Sequence, residues 1–290
     1  MSEDPNGSLA GRIQRQVEHE GFRLPVFNPV AVKLMQVLED APDMAQVERL
    51  ILKDAGLAAE LMRVANSPLF SGLNQTPDLH TALVRLGTKQ VVSIAMLAAQ
   101  EQAFKAQHPL LATMMKHLWL HSMCSAVAAR WVAERCGLRA ERETAFMAGL
   151  LHDVGSLAIV RILDDLLAKG EAPVPTESLL EDLVSSLHTN FGYQVLVAWE
   201  LPTVYADVAR DHDDSLSRSA PPLQAIIRLC DAACALLGVG QPPATGYELE
   251  DLEETTRLGL KPVHLAELEL LIEDTAHKAG CTSVGRAPGG

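Results

Sequence analysis

Aromatic residues are scarce in this sequence, at 4% of 290 residues. Few rings are therefore available as stacking platforms for single-stranded nucleic acid. Positive charge is also short: 24 Lys and Arg face 37 Asp and Glu, for a formal net charge of −13. Nucleic acid and anionic lipid carry the same sign, so neither nucleic acid nor membrane is expected as a partner. The cysteines Cys124, Cys136, Cys230, Cys234 and Cys281 contain no CxxC pair and are odd in number. That points to free thiols in a reducing, cytoplasmic setting. Met1-Ser2-Glu3-Asp4-Pro5 has neither the basic nor the apolar region of a signal peptide. The longest clean apolar run, Val91 to Ala99 with Ser93 tolerated, is far shorter than the ~20 residues that cross a bilayer. GxGxxG, GxxxxGK[ST] and GxSxG motifs are absent as well, which removes the usual dinucleotide, P-loop and nucleophile-elbow chemistries.

What is present is the material of a core. Hydrophobic residues make up 48% and charged residues 21%, a globular balance that suits one large domain or two small ones. The chain reads helix after helix. Asn28 before Pro29 is an N-cap followed by a first-turn proline, with Val32, Leu34, Val37 and Leu38 as the apolar stripe. Asp43 with Gln46 resembles a capping box. A third helix spans Leu57 to Ala65 and stops at Asn66-Ser67-Pro68. Asp78 caps a short fourth helix that Gly87 ends, and Lys89 to Phe104 makes a fifth. Further helices are expected over 111–136, 141–152, 156–167, 177–189, 191–199, 203–212, 222–237, 248–258 and 262–278. Gly170–Pro175, Ser215–Pro222 and Gly238–Thr245 read as loops. No stretch alternates with period two, so the fold class is all-α. A break near Gln107-His108-Pro109 divides an N-terminal helical lobe, 21–108, from a larger lobe, 109–280. Residues 1–20 and 281–290 are expected to be a disordered lead-in and tail.

The strongest chemical signal is His152-Asp153, within Gly149-Leu150-Leu151-His152-Asp153-Val154-Gly155. Neighbouring helical residues point about 100° apart, so the two meet one ion only near a helix end or with flanking ligands. Imidazole nitrogen with carboxylate oxygen suits divalent Fe, Mn or Zn. Taken alone, the doublet is more simply explained by a capped helix end with a satisfied core histidine. His121 sits in an apolar helix, and Asp231 lies in Ile226-Ile227-Arg228-Leu229-Cys230-Asp231-Ala232, where a bare carboxylate is costly to bury. His188 and His212 are two further candidates, with a surface position and a solvated helix end as their plain alternatives. Helices converging on one pocket in this way build metal sites in bundle cores. His117 shares a face with His121 and reads as exposed. Cys230 and Cys234 read as buried structural thiols, and Glu248–Glu254 as a solvated face.

These motifs together resemble the HDOD family, the HD-related output domain of bacteria. Leu24-Pro25 leads in, Asp54-Ala55-Gly56-Leu57 is similar to the family's Asp-Pro-x-Leu, and Leu61-Met62-Arg63-Val64-Ala65-Asn66-Ser67 to its Leu-x-Arg-x-Ala-Asn-Ser. Ala82-Leu83-Val84-Arg85-Leu86-Gly87 is similar to its Ala-x-x-x-Leu-Gly. Trp119-Leu120-His121-Ser122, the His152-Asp153 segment, His188 with Phe191-Gly192, and Trp199-Glu200-Leu201-Pro202 follow in order. His212 and Asp231 fall where the later His and Asp of the family stand. The resemblance covers about residues 20 to 240 and implies a C-terminal lobe similar to HD and HD-GYP phosphohydrolases.

It also implies a role in bacterial signal transduction through protein contacts, mostly without catalysis. Partners would be of the receiver, GGDEF, EAL or kinase type, and no such domain is expected on this chain. Mapped onto the HD pattern, His121, His152, Asp153 and Asp231 are candidate ligands of one metal, and His188 and His212 of a second. The lysine that follows HD-x-Gly in active HD-GYP enzymes is Ser156 here, the His-His pair is His212-Asp213, and no Gly-Tyr-Pro follows. The expectation is therefore a non-catalytic regulatory module. The alternatives are a metal-dependent phosphohydrolase and a nucleotide-binding sensor. As a partner-binding module it should expose an apolar patch near Leu69, Phe70 or Leu73.

Overall fold

The structure, a computed structural model, describes residues 9–19, 28–38, 43–67, 70 and 76–279. Fourteen α-helices and no strand occur among them: α1 Leu9–His19, α2 Pro29–Leu38, α3 Met44–Ile51, α4 Ala55–Ala65, α5 Leu79–Leu86, α6 Thr88–Ala103, α7 Pro109–Arg135, α8 Arg142–Leu151, α9 Val154–Ala168, α10 Glu177–Ala198, α11 Thr203–Asp211, α12 Pro222–Leu236, α13 Glu253–Leu258 and α14 Pro262–Lys278. The all-α reading holds.

Caps start the early helices where the sequence places them. Asn28 Oδ1 accepts from Val30 N at 2.8 Å. The carboxylates of Asp43 and Asp78 accept from the Gln46 and Thr81 amides at 2.6 and 2.7 Å. Asp54 does the same for Leu57 N at 3.0 Å and also receives the Asn28 side chain, tying α4 to α2. Each cap satisfies an amide that has no partner inside its helix.

In the N-terminal part, α2, α4 and α5 pack around α6, whose middle is buried from Val91 to Ala99. In the remainder, α7 lies along α8, α9 along α10, and α12 and α14 against α7. One large apolar core runs through both parts, from Ile13 to Ala276, beside a small separate cluster of Leu216, Ala220 and Ala225. Buried polar groups stitch the two. Ser93 Oγ of α6 donates to Glu143 Oε2 of α8 at 3.0 Å. Arg130 and Arg142 each approach Glu143 at 3.4 Å. Asp164, 2% exposed, accepts the Gln107 and His108 amides at 2.9 and 3.1 Å, fixing the turn into α7. The most apolar stretch, Arg139–Ala168, is nearly all buried within this core and is broken at His152-Asp153.

Several expectations need correction. The lead-in over 1–20 contains α1, whose Ile13 is fully buried in a helix packed on α9. One buried isoleucine in a polar segment is a tertiary signal that local composition does not carry. The expected break between 189 and 191 does not exist: α10 runs unbroken, because Gly192 serves a close helix contact and not a stop. The acidic segment 248–254 is no solvated face throughout, since Glu254 is 5% exposed and paired with Arg228 at 2.5 Å. Phe70 is half-buried against Phe146 and offers no exposed patch, while Leu69, Leu73 and the tail 281–290 lie outside the described residues. His117 is exposed, and Cys230 and Cys234 are buried free thiols.

Candidate metal centre

The helices place six side chains of metal-ligating type in one cluster. Two tight approaches between helix backbones make this possible. A β-carbon on Gly149 would lie 2.7 Å from the Ser125 carbonyl, so α8 rests directly on α7 and brings His152 to His121. A β-carbon on Gly155 would lie 1.9 Å from the His188 carbonyl, so α9 rests directly on α10 and brings Asp153 to His188. Between α8 and α9 the chain breaks for two residues, His152 and Asp153. That break turns the two side chains toward different groups, which a continuous helix would not allow.

His121, His152 and Asp231 form the first trio. Their Nε2 atoms are 3.2 Å apart, and Asp231 Oδ1 is 3.2 Å from His121 Nε2 and 3.9 Å from His152 Nε2. Asp153, His188 and His212 form the second. There the Nε2 atoms are 3.3 Å apart, and Asp153 Oδ1 is 3.9 Å from His188 Nε2. The trios adjoin, with the rings of His152 and His212 5.0 Å apart. All six sequence candidates are thus brought together, and the surface alternatives for His188 and His212 fall, at 8% and 4% exposure.

Sequence reasoning missed three contributors. Asp213 reaches 3.2 Å from His188 Nε2 and 3.5 Å from His212 Nε2. It looked like a solvated helix end because it follows a helix and precedes another aspartate. Ser156 donates to Asp153 Oδ1 at 2.5 Å. Arg228 donates to the carbonyls of His212 and Asp214 and so clamps the turn that carries Asp213. Only the Asp-x-x-Ser spacing of 153 and 156 could have hinted at one of these.

The proton inventory decides what the cluster can hold. A carbonyl only accepts, so a ring nitrogen facing one must carry the proton. His152 Nδ1 faces Gly149 O at 2.8 Å, His188 Nδ1 faces Val184 O at 3.1 Å, and His212 Nδ1 faces Ala209 O at 3.0 Å. In the neutral rings the Nε2 atoms are then bare lone pairs. His188 and His212 point two of them at each other across 3.3 Å. Either a proton or a cation must stand between them. Ring orientation by backbone carbonyls is also how metal-ligating histidines are held. Ligands bound to one ion at ~2.0–2.2 Å stand about 3–3.5 Å apart, so the closest separations here fit a shared cation.

The charge balance agrees. Burial works against protonated His188, yet the Asp213 hydrogen bond and the Asp153 and Asp213 charges raise it to about 9. His121 is likewise raised by Asp231 in spite of its burial. Burial and the charge of His152 push His212 down. Burial would raise the Asp231 carboxyl, but hydrogen bonds from His121 and His152 hold it well below the usual carboxylate range. Among the described residues Asp153, Asp213 and Asp231 make ion pairs with histidines alone, and no Lys or Arg offsets them. The imidazoles are buried, while the side chains of Asp231 and Asp213 are 30% and 54% exposed. The centre is thus closed on its nitrogen side and open to solvent on its oxygen side.

The profile of the HDOD domain matches residues 24–215. The chain belongs to the HDOD family. Among solved structures it is similar to another HDOD domain protein, from Geobacter sulfurreducens, with a TM-score of 0.71 at 23% identity over 96% of this chain and 99% of that one. A protein of Shewanella amazonensis SB2B for which metal-dependent phosphohydrolase activity has been suggested gives 0.72 at 22% identity, over 92% and 98%. A suggested signal-transduction protein of Marinobacter aquaeolei VT8 gives 0.63 at 20%, over 95% and 67%. At these identities the likeness is one of fold. An uncharacterized protein of Treponema pallidum (strain Nichols) is 21% identical over 197 residues, and the chain spans 37% of its length. Within this HDOD protein, Asp231 lies beyond the matched residues, yet α12 returns it to the cluster between His121 and His152.

Proposed function

We propose that this HDOD protein is a bacterial signal-transduction module whose HD-like lobe binds two divalent cations and hydrolyses a phosphoester. The observation that carries this reading is the pair of facing Nε2 atoms on His188 and His212, both with Nδ1 committed to a carbonyl. Without metal, the proton that Asp213 and Asp153 hold on His188 fills this gap, and on loading a cation would take its place. His121, His152 and Asp231 would hold one ion, and Asp153, His188 and His212, with Asp213 beside them, the second. Fe, Mn or Zn suits this mixture of nitrogen and oxygen donors. Such ions supply Lewis acidity toward a phosphoryl oxygen and lower the pKa of water.

The chain's own residues do the rest. Burial of the four imidazoles keeps water from the nitrogen side. The backbone carbonyls of Gly149, Val184 and Ala209 fix the rings of His152, His188 and His212 by their Nδ1 protons. Ser156 fixes Asp153. Asp213 and Asp231 flank the open side, where an ester would enter.

One observation favours a second reading, the non-catalytic output module. Ser156 stands where active HD-GYP enzymes carry a lysine, so no cation from this position meets a phosphate. Such a module would act on receiver, GGDEF, EAL or kinase-type partners through its helical surfaces. Metal analysis of protein purified without chelating tags, followed by assay of the loaded protein on bis(p-nitrophenyl) phosphate, separates the readings. We expect close to two ions per chain and metal-dependent hydrolysis, with both reduced in Asp231→Asn. Bound metal without turnover on this ester or on a nucleotide panel would favour the second reading. Failure to take up Fe, Mn or Zn on reconstitution would overturn the metal centre itself.

A further inference from the structure

Three of the four imidazoles lean on a carbonyl three or four residues back in the chain: Gly149 for His152, Val184 for His188 and Ala209 for His212. Among the described residues no carbonyl of α7 does this for His121. The backbone group that favours a proton on its ring is Val239, in the loop that follows α12. That loop lies beyond the residues matched by the HDOD profile.

The loop is seated on both helices that supply the first trio's outer ligands. Gly238, at φ +68°, turns the chain out of α12, and Val239 N returns to Cys234 O at 2.9 Å. Val239 is fully buried. The next residue rests on α7: a β-carbon on Gly240 would lie 2.5 Å from the His117 carbonyl and 3.0 Å from the β-carbon of His121. Its φ of +78° also favours glycine. Farther on, Ala244 N donates to Ala235 O at 2.9 Å and Tyr247 Oη to Ala232 O at 2.8 Å, so the loop folds back along α12 to the residue after Asp231.

We infer that Gly240 is a positioning residue for the first metal ion: its close seat on α7 places the Val239 carbonyl so that the His121 imidazole faces His152 and Asp231. This rests on the metal reading of that trio. A neutral imidazole ligates through one nitrogen while the other keeps its proton, and the group that holds the proton fixes the ring. For His121 that group comes from the loop, so the aim of the ring follows the seat of the loop. Lifting Gly240 off α7 frees a ring that must meet His152 Nε2 and Asp231 Oδ1, each at 3.2 Å. His188 and His212 take their carbonyls from α10 and α11, so the second trio does not depend on the loop.

The test is a zinc titration of full-length protein carrying labelled histidines, followed by NMR, so that each ion is assigned by the rings it shifts. Gly240→Ala should weaken the ion that shifts His121 and His152 by about tenfold or more and leave the ion at His188 and His212 unchanged. Gly259→Ala is the control for backbone strain: its φ is +63°, and nothing lies within 4 Å of its β-carbon. It should lose stability and keep both ions, as a merely structural role for Gly240 would also predict. Tyr247→Phe removes only the hydroxyl that ties the loop to α12. It should weaken the same ion by a smaller factor, which keeps the test standing if Gly240→Ala does not fold. Before zinc is added, the His121 ring signals should already differ between Gly240→Ala and the parent, while those of His188 stay in place. Parental affinity for the first ion in both loop variants, or equal weakening of both ions, would overturn the inference. If the parent takes up no zinc, the metal reading fails, and unchanged His121 signals in the metal-free variants would then overturn the positioning role separately.

Discussion

Gly155 offers the sharpest test of how packing builds the site. It is the second residue of α9, two after Asp153, and its backbone lies against α10 where His188 stands. A β-carbon placed there meets His188 O at 1.9 Å and Gly192 N at 2.6 Å. Ordinary contact begins near 3.4 Å, so the closest approach is about 1.5 Å too short. Both obstacles are backbone atoms and cannot rotate away. In Gly155→Ala the two helices must therefore separate by more than an ångström along their seam. Overpacking a core commonly costs 1–3 kcal/mol, and a backbone clash of this size belongs near the top, about 3 kcal/mol. For a chain of this length that corresponds to a fall in Tm of roughly 6–12 °C.

The same displacement has a chemical signature. Asp153 and His188, already 3.9 Å apart, belong to the second trio and lie on either side of the seam. His121, His152 and Asp231 sit on α7, the end of α8 and α12, and do not span it. Circular dichroism in chelator should show the loss of Tm, and elemental analysis after reconstitution should show one ion where the proposed centre gives the parent two. Gly170→Ala is the control: its φ of +70° makes alanine strained, but nothing lies within 4 Å of its β-carbon. It should cost about 1 kcal/mol and leave both ions. A Gly155→Ala protein with Tm within about 2 °C of the parent and full metal content would refute the packing argument.

Two further expectations follow from the electrostatics of the cluster. In metal-free protein His188 is raised to about 9, above its ordinary value of about 6.5. The stability it contributes is complete below about pH 6.5 and is lost as pH rises through about 9, so Tm in chelator should fall between pH 6.5 and 9.5. Metal affinity should climb over the same window, because cations displace that proton; a Tm that holds steady would count against the His188–Asp213 pairing. Ser156→Ala removes the hydroxyl that orients Asp153 and should weaken the second ion ten- to a hundredfold by competition titration. Equal weakening of both ions would show that Ser156 does not act through Asp153.

The helices were legible because their starts are local. Asp43 and Asp78 announce caps three residues ahead, and the structure places those bonds where the spacing puts them. The misses are all non-local. The burial of Ile13 depends on α9, the partner of Glu254 is 26 residues away, and the place of Gly192 inside α10 depends on Gly155 of the neighbouring helix. The site divides in the same way. Residue type and motif order marked His121, His152, Asp153, His188, His212 and Asp231. No sequence pattern tells that three Nδ1 protons are committed to carbonyls, which is what leaves lone pairs facing one another.

Asp153 shows where the boundary falls. Asp153-Val154-Gly155-Ser156 has the same spelling as the caps at Asp43 and Asp78: an aspartate, two residues, then a helix under way. By that rule Asp153 should bond the backbone of the first turn of α9. It makes no side-chain cap bond. Its carboxylate is instead held by Ser156 Oγ and faces His188. A side chain that forgoes a cap worth about 1 kcal/mol and turns toward a cluster of imidazoles breaks a local rule. Such breaks are expected where a chain serves chemistry over stability. The departure of Asp153 from the pattern of its two counterparts therefore argues for function more strongly than the His-Asp dipeptide that first drew attention to it.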